Sequence, residues 1–233
     1  MKLKNDEYLY RHELKYLISS AQLPVLKSRI EGIMRLDPHI MSTGQYNIRS
    51  LYFDDYDNRC FYENENGNDH RAKYRIRIYN QSVDRISLEL KRKDKGKTHK
   101  DSCLLTKEQA ECLIYGRCVP NLSEQPKILQ GMCADILINK MHPAVIVDYD
   151  RIPYIYKDGN VRITFDTNIS SSNAFNAFFD FNLPKRPVLA AGMQLMEVKF
   201  DEFLPDTIYR GLQIENLQQT AFSKYYLCRR FTL

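Results

Sequence analysis

Basic side chains recur at every second position of several short segments, and a few carboxylates share those positions. Lys73, Arg75 and Arg77 alternate with apolar neighbours, and so do Glu197 and Lys199. Side chains two residues apart in a β-strand lie on one face, so each segment predicts a strand with one charged and one apolar face. Arginine grips phosphate oxygens with two donors, lysine supplies a point charge, and carboxylates can hold a divalent metal. The pattern predicts chemistry on a polyanion.

These charged faces contain more bases than acids. The bases are Arg11, Lys15, Lys73, Arg75, Arg77, Lys91, Lys93, Arg151, Arg162 and Lys199, and the acids are Glu13, Glu89, Asp166 and Glu197. Gathered in one lumen, close pairs of these cations would repel each other by about 1 kcal/mol even in water. The alternative is an exposed sheet face with ordinary cross-strand ion pairs. Six strands with the same pattern favour the polyanion.

The net charge is concentrated in one window. Residues 71–100 contain eleven Lys or Arg and three acids, whereas the whole 233-residue chain carries +5. An anionic partner for this window is therefore expected. The alternative is a solvated, lysine-rich hairpin tip around Asp94-Lys95-Gly96-Lys97, and for Arg92, Lys95 and Lys97 we favour that alternative.

The elements that must position these residues are mainly strands. Alternation predicts strands over 8–18, 46–54, 71–80, 85–94, 97–105, 144–156, 160–167 and 193–201. Helices are expected over 20–36, 106–115, 125–141, 206–214 and 222–230, the first capped at Ser19-Ser20 and the second at Thr106. Residues 170–192 predict a long irregular connection. No domain boundary is evident, so residues 1–233 predict a single domain.

Composition excludes several classes of protein. Six cysteines form no CxxC pair and the five histidines are scattered, which argues against a structural zinc site. No segment has the roughly 18–20 apolar residues of a membrane span, and the N-terminus lacks a signal-peptide core. A soluble, cytoplasmic protein with reduced thiols is expected.

The ordered set of motifs resembles a known family, the VTC (vacuolar transporter chaperone) domain. This is the polyphosphate-polymerase branch of the triphosphate tunnel metalloenzymes, also called CYTH-like. The runs that carry the resemblance are Arg11-His-Glu-Leu-Lys-Tyr16, Ile48-Arg-Ser-Leu-Tyr-Phe-Asp54, Lys73-Tyr-Arg-Ile-Arg-Ile-Tyr79, Leu88-Glu-Leu-Lys-Arg-Lys93, Val161-Arg-Ile-Thr-Phe-Asp166, Leu195-Met-Glu-Val-Lys-Phe200 and Ser223-Lys-Tyr225. They span nearly the whole chain in the family's order.

The resemblance implies an α+β fold, an antiparallel β-barrel tunnel with a charged lumen and helices outside. It implies a phosphotransferase that moves the γ-phosphate of ATP onto inorganic polyphosphate with Mn²⁺ or Mg²⁺. Catalytic roles are implied for Arg75, Arg77, Lys91, Arg151 and Glu197, with Glu197 as the metal ligand. Phosphate binding is implied for Lys15, Arg75, Arg77, Lys91, Lys93, Lys100, Tyr149, Arg151, Arg162, Lys199, Ser223 and Lys224.

The sequence departs from the wider family at three points. The related hydrolases carry Glu-x-Glu-x-Lys in the first strand, whereas this chain has Arg11-x-Glu13-x-Lys15, which favours the polymerase branch. Lys93 stands at a position resembling one where eukaryotic members carry histidine. Those members add a regulatory domain and membrane helices, neither of which this sequence predicts.

Three other functions remain open at this point. A triphosphate or tripolyphosphate hydrolase on the same fold would use water as the acceptor. A silent polyphosphate or nucleotide sensor would bind tightly without metal-dependent turnover. A nucleic-acid binder is disfavoured, since the bases alternate with carboxylates and no aromatic RNA-binding signature is present.

Overall fold

A computed structural model describes residues 11–38, 40, 44–68, 70–94 and 97–231, with the backbone alone at 94, 97 and 98. The chain is of the α+β class. In chain order its elements are β1 (His12–Ser19), α1 (Gln22–Glu31), β2 (Arg35–Leu36), β3 (Tyr46–Asp54), α2 (Arg59–Glu65), β4 (Arg71–Tyr79), β5 (Ile86–Asp94), β6 (Lys97–Leu105), α3 (Lys107–Ile114), α4 (Lys127–Ile138), β7 (His142–Tyr156), β8 (Val161–Ser172), β9 (Arg186–Pro187), β10 (Met193–Phe200), α5 (Asp206–Gly211) and α6 (Lys224–Arg230).

The chain divides into two compact units, and the long strands β7 and β8 supply residues to both. Unit 1 takes its described residues from Met1–Gln45, Ile152–Asp166 and Gly192–Ala221. Its strands are hydrogen-bonded in the order β1-β10-β8-β7-β2. Ile18, Leu26 and Ile30 are fully buried in its core, which joins the apolar faces of these strands to α1 and α5.

Unit 2 takes its described residues from Tyr46–Arg151, Thr167–Ala191 and Phe222–Leu233. Its strand order is β9-β8-β7-β3-β4-β5-β6, and the strand pairs whose register is described in the two units are antiparallel. Its core packs the apolar faces of β4 and β5 against α3 and α4, including Ile76, Leu88 and Met132, which are fully buried. The predicted α+β class with a large antiparallel sheet is confirmed.

Strand β4 shows the predicted division into two faces. Ile76 and Ile78 are fully buried, whereas Lys73, Arg75 and Arg77, which occupy the alternate positions of the strand, are half-buried. Burying an isoleucine is worth about 1.5–3 kcal/mol, so the apolar face fixes which way the strand points. The basic side chains are thereby held on the opposite face.

A buried ion cluster secures a loop in unit 2. Arg49 and Asp148 are each 1% exposed, and Arg49 Nε lies 2.8 Å from Asp148 Oδ2. Arg49 Nη1 also donates to the carbonyl oxygens of Phe178, at 2.9 Å, and Asp180, at 2.6 Å. Lys185 pairs with the other oxygen of Asp148. The segment around 178–185 is therefore attached to β3 and β7 by charge.

Several element boundaries differ from the predictions. The first helix, α1, spans Gln22–Glu31 instead of 20–36, and its N-cap is Ala21 without a side-chain cap, not the predicted Ser19-Ser20. Ser19 Oγ nevertheless accepts from the Gln22 amide. Strand β8 continues to Ser172, into the segment predicted to be irregular, because Ser170 and Ser171 pair with β9. The Thr106 cap is confirmed. Residues 95 and 96 of the predicted hairpin tip lie outside the described residues.

Helix α2 was not predicted. Its first amides are satisfied by Asp54 at the end of β3, whose Oδ1 accepts from Cys60 N at 2.8 Å and whose Oδ2 accepts from Phe61 N at 3.2 Å. Tyr225 Oη donates to the same Oδ2 at 2.5 Å. A carboxylate that satisfies otherwise unpaired amides can start a short helix that lacks apolar periodicity.

None of the helices in the described part of the chain has the length and apolar character needed to cross a bilayer.

Candidate functional site

A single buried carboxylate organises the basic face of unit 2. Glu89 on β5 is 3% exposed. Its Oε2 lies 2.5 Å from Arg75 Nη2 and 3.8 Å from Arg77 Nη1, and its Oε1 lies 2.7 Å from Lys100 Nζ. Three of the predicted phosphate-binding cations therefore converge on one acid. We call Glu89, Arg75, Arg77, Lys100 and Tyr52 the Glu89 cluster.

The charge of Glu89 is strongly favoured. Burial opposes ionisation, but Arg75, Arg77 and Lys100 outweigh it and lower the pKa of Glu89 to about 2. The carboxylate therefore remains ionised near neutral pH. It limits the repulsion among the three cations, and the cluster keeps a net positive charge.

Tyr52 on β3 completes the cluster. Its hydroxyl accepts from Arg75 Nη1 at 3.0 Å, and the two residues are direct partners in the β3–β4 register. Burial alone would raise the pKa of Tyr52, but Arg75, Arg77 and Lys224 lower it to about 8. Arg77 Nε donates to Ser50 Oγ at 3.1 Å. Side chains from β3 thus fix both guanidinium groups.

Two further predicted lysines lie on β5, next to this cluster in the sheet. Lys91 is exposed and pairs in register with Lys73 on one side and Lys100 on the other. Lys93 pairs in register with Arg71. Directly opposed like charges are destabilising in a sheet, so an anion bound to this row would stabilise it.

A second group of predicted residues in unit 2 surrounds the ring of Tyr149, which is 4% exposed. Arg151 Cζ lies 5.3 Å and Lys224 Nζ 4.9 Å from the ring centroid. Both distances fall in the range of cation–π attraction, so the ring attracts both charges. Ser223 Oγ accepts from the Tyr226 amide and caps α6, which explains a local role for this hydroxyl.

Unit 1 carries its own charged group on β1 and β10. Lys199 Nζ lies 2.8 Å from Glu197 Oε1 and 3.5 Å from Glu13 Oε2, and Lys15 Nζ lies 2.8 Å from Glu13 Oε1. Glu197 is 5% exposed. Arg162, opposite Lys199 in register, pairs with Asp37 at 2.6 Å.

The surroundings of Glu197 fit a divalent metal in part. Thr164, its direct partner on β8, is 3% exposed, and its Oγ1 has no hydrogen-bond partner among the described residues. Glu13 and Glu197 both pair with Lys199. The described residues contain no group of three His, Cys, Asp or Glu placed to hold a metal. Mg²⁺ commonly needs only one or two carboxylates when phosphates supply the other ligands, so these residues fit such a metal.

The structure thus places the predicted residues in two sets. Unit 2 holds Arg75, Arg77, Lys91, Lys93, Lys100, Tyr149, Arg151, Ser223 and Lys224, and unit 1 holds Lys15, Arg162, Glu197 and Lys199. Sequence reasoning missed the central position of Glu89 and the contact of Tyr52 with Arg75. The alternation predicts that Glu89 lies on the charged face. Only the pairing register of β5 with β4 and β6 shows which cations it contacts.

The sequence pattern predicts that Lys73 lies on the basic face, but the family resemblance implies no phosphate-binding role for it. Its Nζ lies 4.4 Å from the centroid of the Tyr225 ring and donates to Asn64 Oδ1 at 3.0 Å. Burial, together with the neighbouring Arg71 charge, lowers the pKa of Lys73 to about 8. Lys73 therefore loses its positive charge at a lower pH than the arginines do.

Comparison with solved structures gives similar chains, of which HpAC1 supports a shared fold. HpAC1 from Hippeastrum, a candidate adenylyl cyclase described as having a dominant triphosphatase activity, matches with a TM-score of 0.55 and 14% identity, over 96% of this chain and 97% of that chain. A candidate adenylate cyclase from Bacillus halodurans has a TM-score of 0.49 and 16% identity, over 86% of this chain and 84% of that chain. Comparison with curated proteins gave no match.

These observations define an α+β protein with charged strand faces on a large antiparallel sheet, a fold that HpAC1 shares. The model of the VTC domain matches residues 10–232, and the chain belongs to this family. The predicted resemblance is therefore confirmed.

Proposed function

We propose that the protein is a polyphosphate polymerase-like phosphotransferase that moves the γ-phosphate of ATP onto inorganic polyphosphate. The observation that carries the proposal is the Glu89 cluster, in which Arg75, Arg77 and Lys100 are held around one buried acid. Phosphoryl transfer needs little covalent chemistry from a protein, and positioned cations supply most of the catalysis. Family membership supports the same reaction class.

The arginines provide position and charge. Arg75 uses Nε and Nη2 on Glu89 and one Nη1 hydrogen on Tyr52, so its guanidinium has a fixed plane and further N–H donors. A phosphate held against a fixed guanidinium loses less entropy on reaction than one held by a mobile side chain. Lys91, Arg151 and Lys224 extend the binding surface for a longer phosphate chain.

A Mn²⁺ or Mg²⁺ ion is part of the proposal. Glu197 would hold it, with Glu13 as a second carboxylate and phosphate oxygens as the remaining ligands. Such a metal supplies neutralisation of charge on the phosphate oxygens. Lys15 and Lys199 pair with these carboxylates and would bind phosphate beside them.

The first strand favours polymerisation over hydrolysis. Arg11 stands where the related hydrolases have a glutamate, and its Nε lies 2.9 Å from Asp201. This position offers no carboxylate to a metal. A triphosphatase remains the second candidate, because the similar fold of HpAC1 carries that activity. A silent polyphosphate-binding module is the third.

The proposal extends to the setting of the protein. Residues 1–233 would form one VTC-like domain that binds ATP and polyphosphate and does not bind nucleic acid. All six cysteines are free, which suits the reducing conditions of the cytoplasm. Phosphate binding by Arg162 and Ser223 belongs to the proposal on family membership alone, since Asp37 and the α6 cap already occupy these side chains.

The test is incubation with ATP and Mn²⁺, with and without a short polyphosphate primer, on a gel that resolves chain length. Lengthening chains with release of ADP support the polymerase. Free phosphate without chains would show a hydrolase, and tripolyphosphate binding without either product would show a binding module.

Variants connect the reaction to the proposed residues. Arg75→Ala is expected to abolish turnover, and the exposed Lys91→Ala to weaken it without loss of folding. Arg117→Ala, an arginine beside Tyr115 outside both sets, serves as the matched control and should keep wild-type activity. Wild-type turnover in a folded Arg75→Ala protein would contradict the assignment.

A further inference from the structure

Tyr52 is the residue of the Glu89 cluster that neither the motifs nor the family match assigns. It lies half-buried on β3, with Arg75 Cζ 5.7 Å from its ring centroid and the Tyr225 ring 5.3 Å away. Packing against Tyr225 and hydrogen bonding to Arg75 fix the ring. The hydroxyl therefore has a defined place on the basic face.

The direction of the hydroxyl proton follows from the contact with Arg75. A guanidinium only donates, so at 3.0 Å the Tyr52 oxygen accepts, and its own proton must point elsewhere. Among the described residues, no hydrogen bond donated by the Tyr52 hydroxyl is found. The cations that lower the pKa of Tyr52 are Arg75, Arg77 and Lys224, and all three are hydrogen-bond donors.

We propose that Tyr52 is a direct phosphate ligand, whose hydroxyl accepts from Arg75 and donates to an oxygen of the phosphate chain that Arg75 binds. This inference rests on the proposed function, because it concerns the same triphosphate site. The contact makes Tyr52 a relay between the guanidinium and the phosphate. Removal of the hydroxyl loses one donor and frees one Arg75 donor at the same time.

The acidity of Tyr52 supports this assignment. The surrounding cations lower its pKa to about 8, and a more acidic hydroxyl is a stronger donor to an anion. Above that pH the phenolate has no proton to donate and repels phosphate. Affinity due to Tyr52 is therefore present below pH 8 and is lost as the pH rises through it.

Other titratable groups face the same place and have to be separated from Tyr52. From the packed elements they are Lys73, Arg75, Arg77, Glu89, Tyr149, Lys224 and Tyr225. Of these, Lys73 has its pKa lowered to about 8 as well, by burial and by Arg71. A Lys73→Arg background holds that charge constant, since arginine does not titrate in this range.

The experiment measures the dissociation constant of inorganic tripolyphosphate by calorimetry for the full chain and for Tyr52→Phe, between pH 6.5 and pH 9. At pH 6.5 Tyr52→Phe should bind about ten-fold more weakly, as expected for loss of a hydrogen bond to a charged group. The ratio of the two constants should then shrink toward one at pH 9. Protonation of the ligand is common to both proteins and cancels in the ratio.

The controls keep the outcomes distinct. Tyr115→Phe removes the hydroxyl of an exposed tyrosine at the end of α3, outside the Glu89 cluster, and should match the wild type at every pH. The falling ratio should persist in the Lys73→Arg background. If Tyr52→Phe does not fold, a fluorinated tyrosine at position 52, which has a lower pKa, should move the loss of affinity to lower pH.

Two results would overturn the inference. A ratio that stays constant with pH, or equal binding by Tyr52→Phe and wild type, would mean that Tyr52 only packs beside Arg75 while the proposed function stands. Absence of tripolyphosphate binding by the wild type would overturn the proposed function and this inference together.

Discussion

Replacement of Glu89 by glutamine tests the electrostatic design of the basic face. Glutamine keeps the size and an acceptor oxygen but removes the charge that Arg75, Arg77 and Lys100 share. The side chain is 3% exposed, so solvent screens these pairs weakly. We therefore expect the variant to be less stable in the absence of phosphate.

The magnitude follows from the pKa of Glu89, which is lowered from an ordinary 4.5 to about 2. At about 1.4 kcal/mol per pKa unit, this difference corresponds to about 3 kcal/mol of stability. Because the folded pKa lies below the unfolded one, the contribution is fully present above about pH 4.5 and is lost as the pH falls through 2. At pH 3 about 1.4 kcal/mol should remain.

Urea unfolding followed by circular dichroism, at pH 7 and pH 3, measures this effect. The loss for Glu89→Gln should be about 3 kcal/mol at pH 7 and less than half of that at pH 3. Saturating tripolyphosphate at pH 7 should reduce the difference, since the bound anion replaces the missing charge. Glu111→Gln is the matched control, because its pair with Lys107 at 3.8 Å is exposed and worth less than about 0.5 kcal/mol.

The reasoning is refuted if Glu89→Gln unfolds within about 0.5 kcal/mol of the wild type at pH 7. A loss of the same size at both pH values would also refute it, since a packing defect does not depend on the ionisation of Glu89.

Two further predictions concern the contribution of residues in unit 2 to the free energy of unfolding. Thr106→Ala should lower the free energy of unfolding by about 1 kcal/mol, since Thr106 caps α3 through the Gln109 amide, and Thr106→Ser should restore most of it in the same urea titration. Arg49→Met should cost about 3–5 kcal/mol, because Asp148 would stay buried with Lys185 as its one cationic partner among the described residues. A urea midpoint equal to that of the wild type would contradict the stabilising role of this pair.

The alternation of apolar and polar residues predicted the larger part of the fold, because a sheet with one buried face requires apolar residues at every second position. The 46–54 strand was predicted with its observed bounds, and the 71–80 strand to within one residue. The period of two also separated Arg75 and Arg77 from Ile76 and Ile78 before any register was known. Family motifs then supplied most of the candidate site, including Tyr149 and Glu197.

What could not be predicted depends on contacts between distant segments. Helix α2 begins on a carboxylate from the preceding strand, and β8 is extended by pairing with β9, so neither has its own apolar repeat. The role of Glu89 needs the register of three strands, because its partners come from β4 and β6. A sequence pattern gives the face of a residue but not its neighbours across the sheet.

The alternation of two different faces along β7 also limits which insertions and deletions the protein can tolerate. Asp148 belongs to the buried ion cluster, whereas its neighbour Tyr149 lies against Arg151 and Lys224. Insertion or deletion of one codon between 145 and 148, on the regular side of the bulge in β7, would exchange these two faces, placing an aromatic ring opposite Arg49 and a carboxylate among the cations. Lineages of this protein should therefore accumulate substitutions in β7 while its length stays constant, and length variation should be confined to the loops.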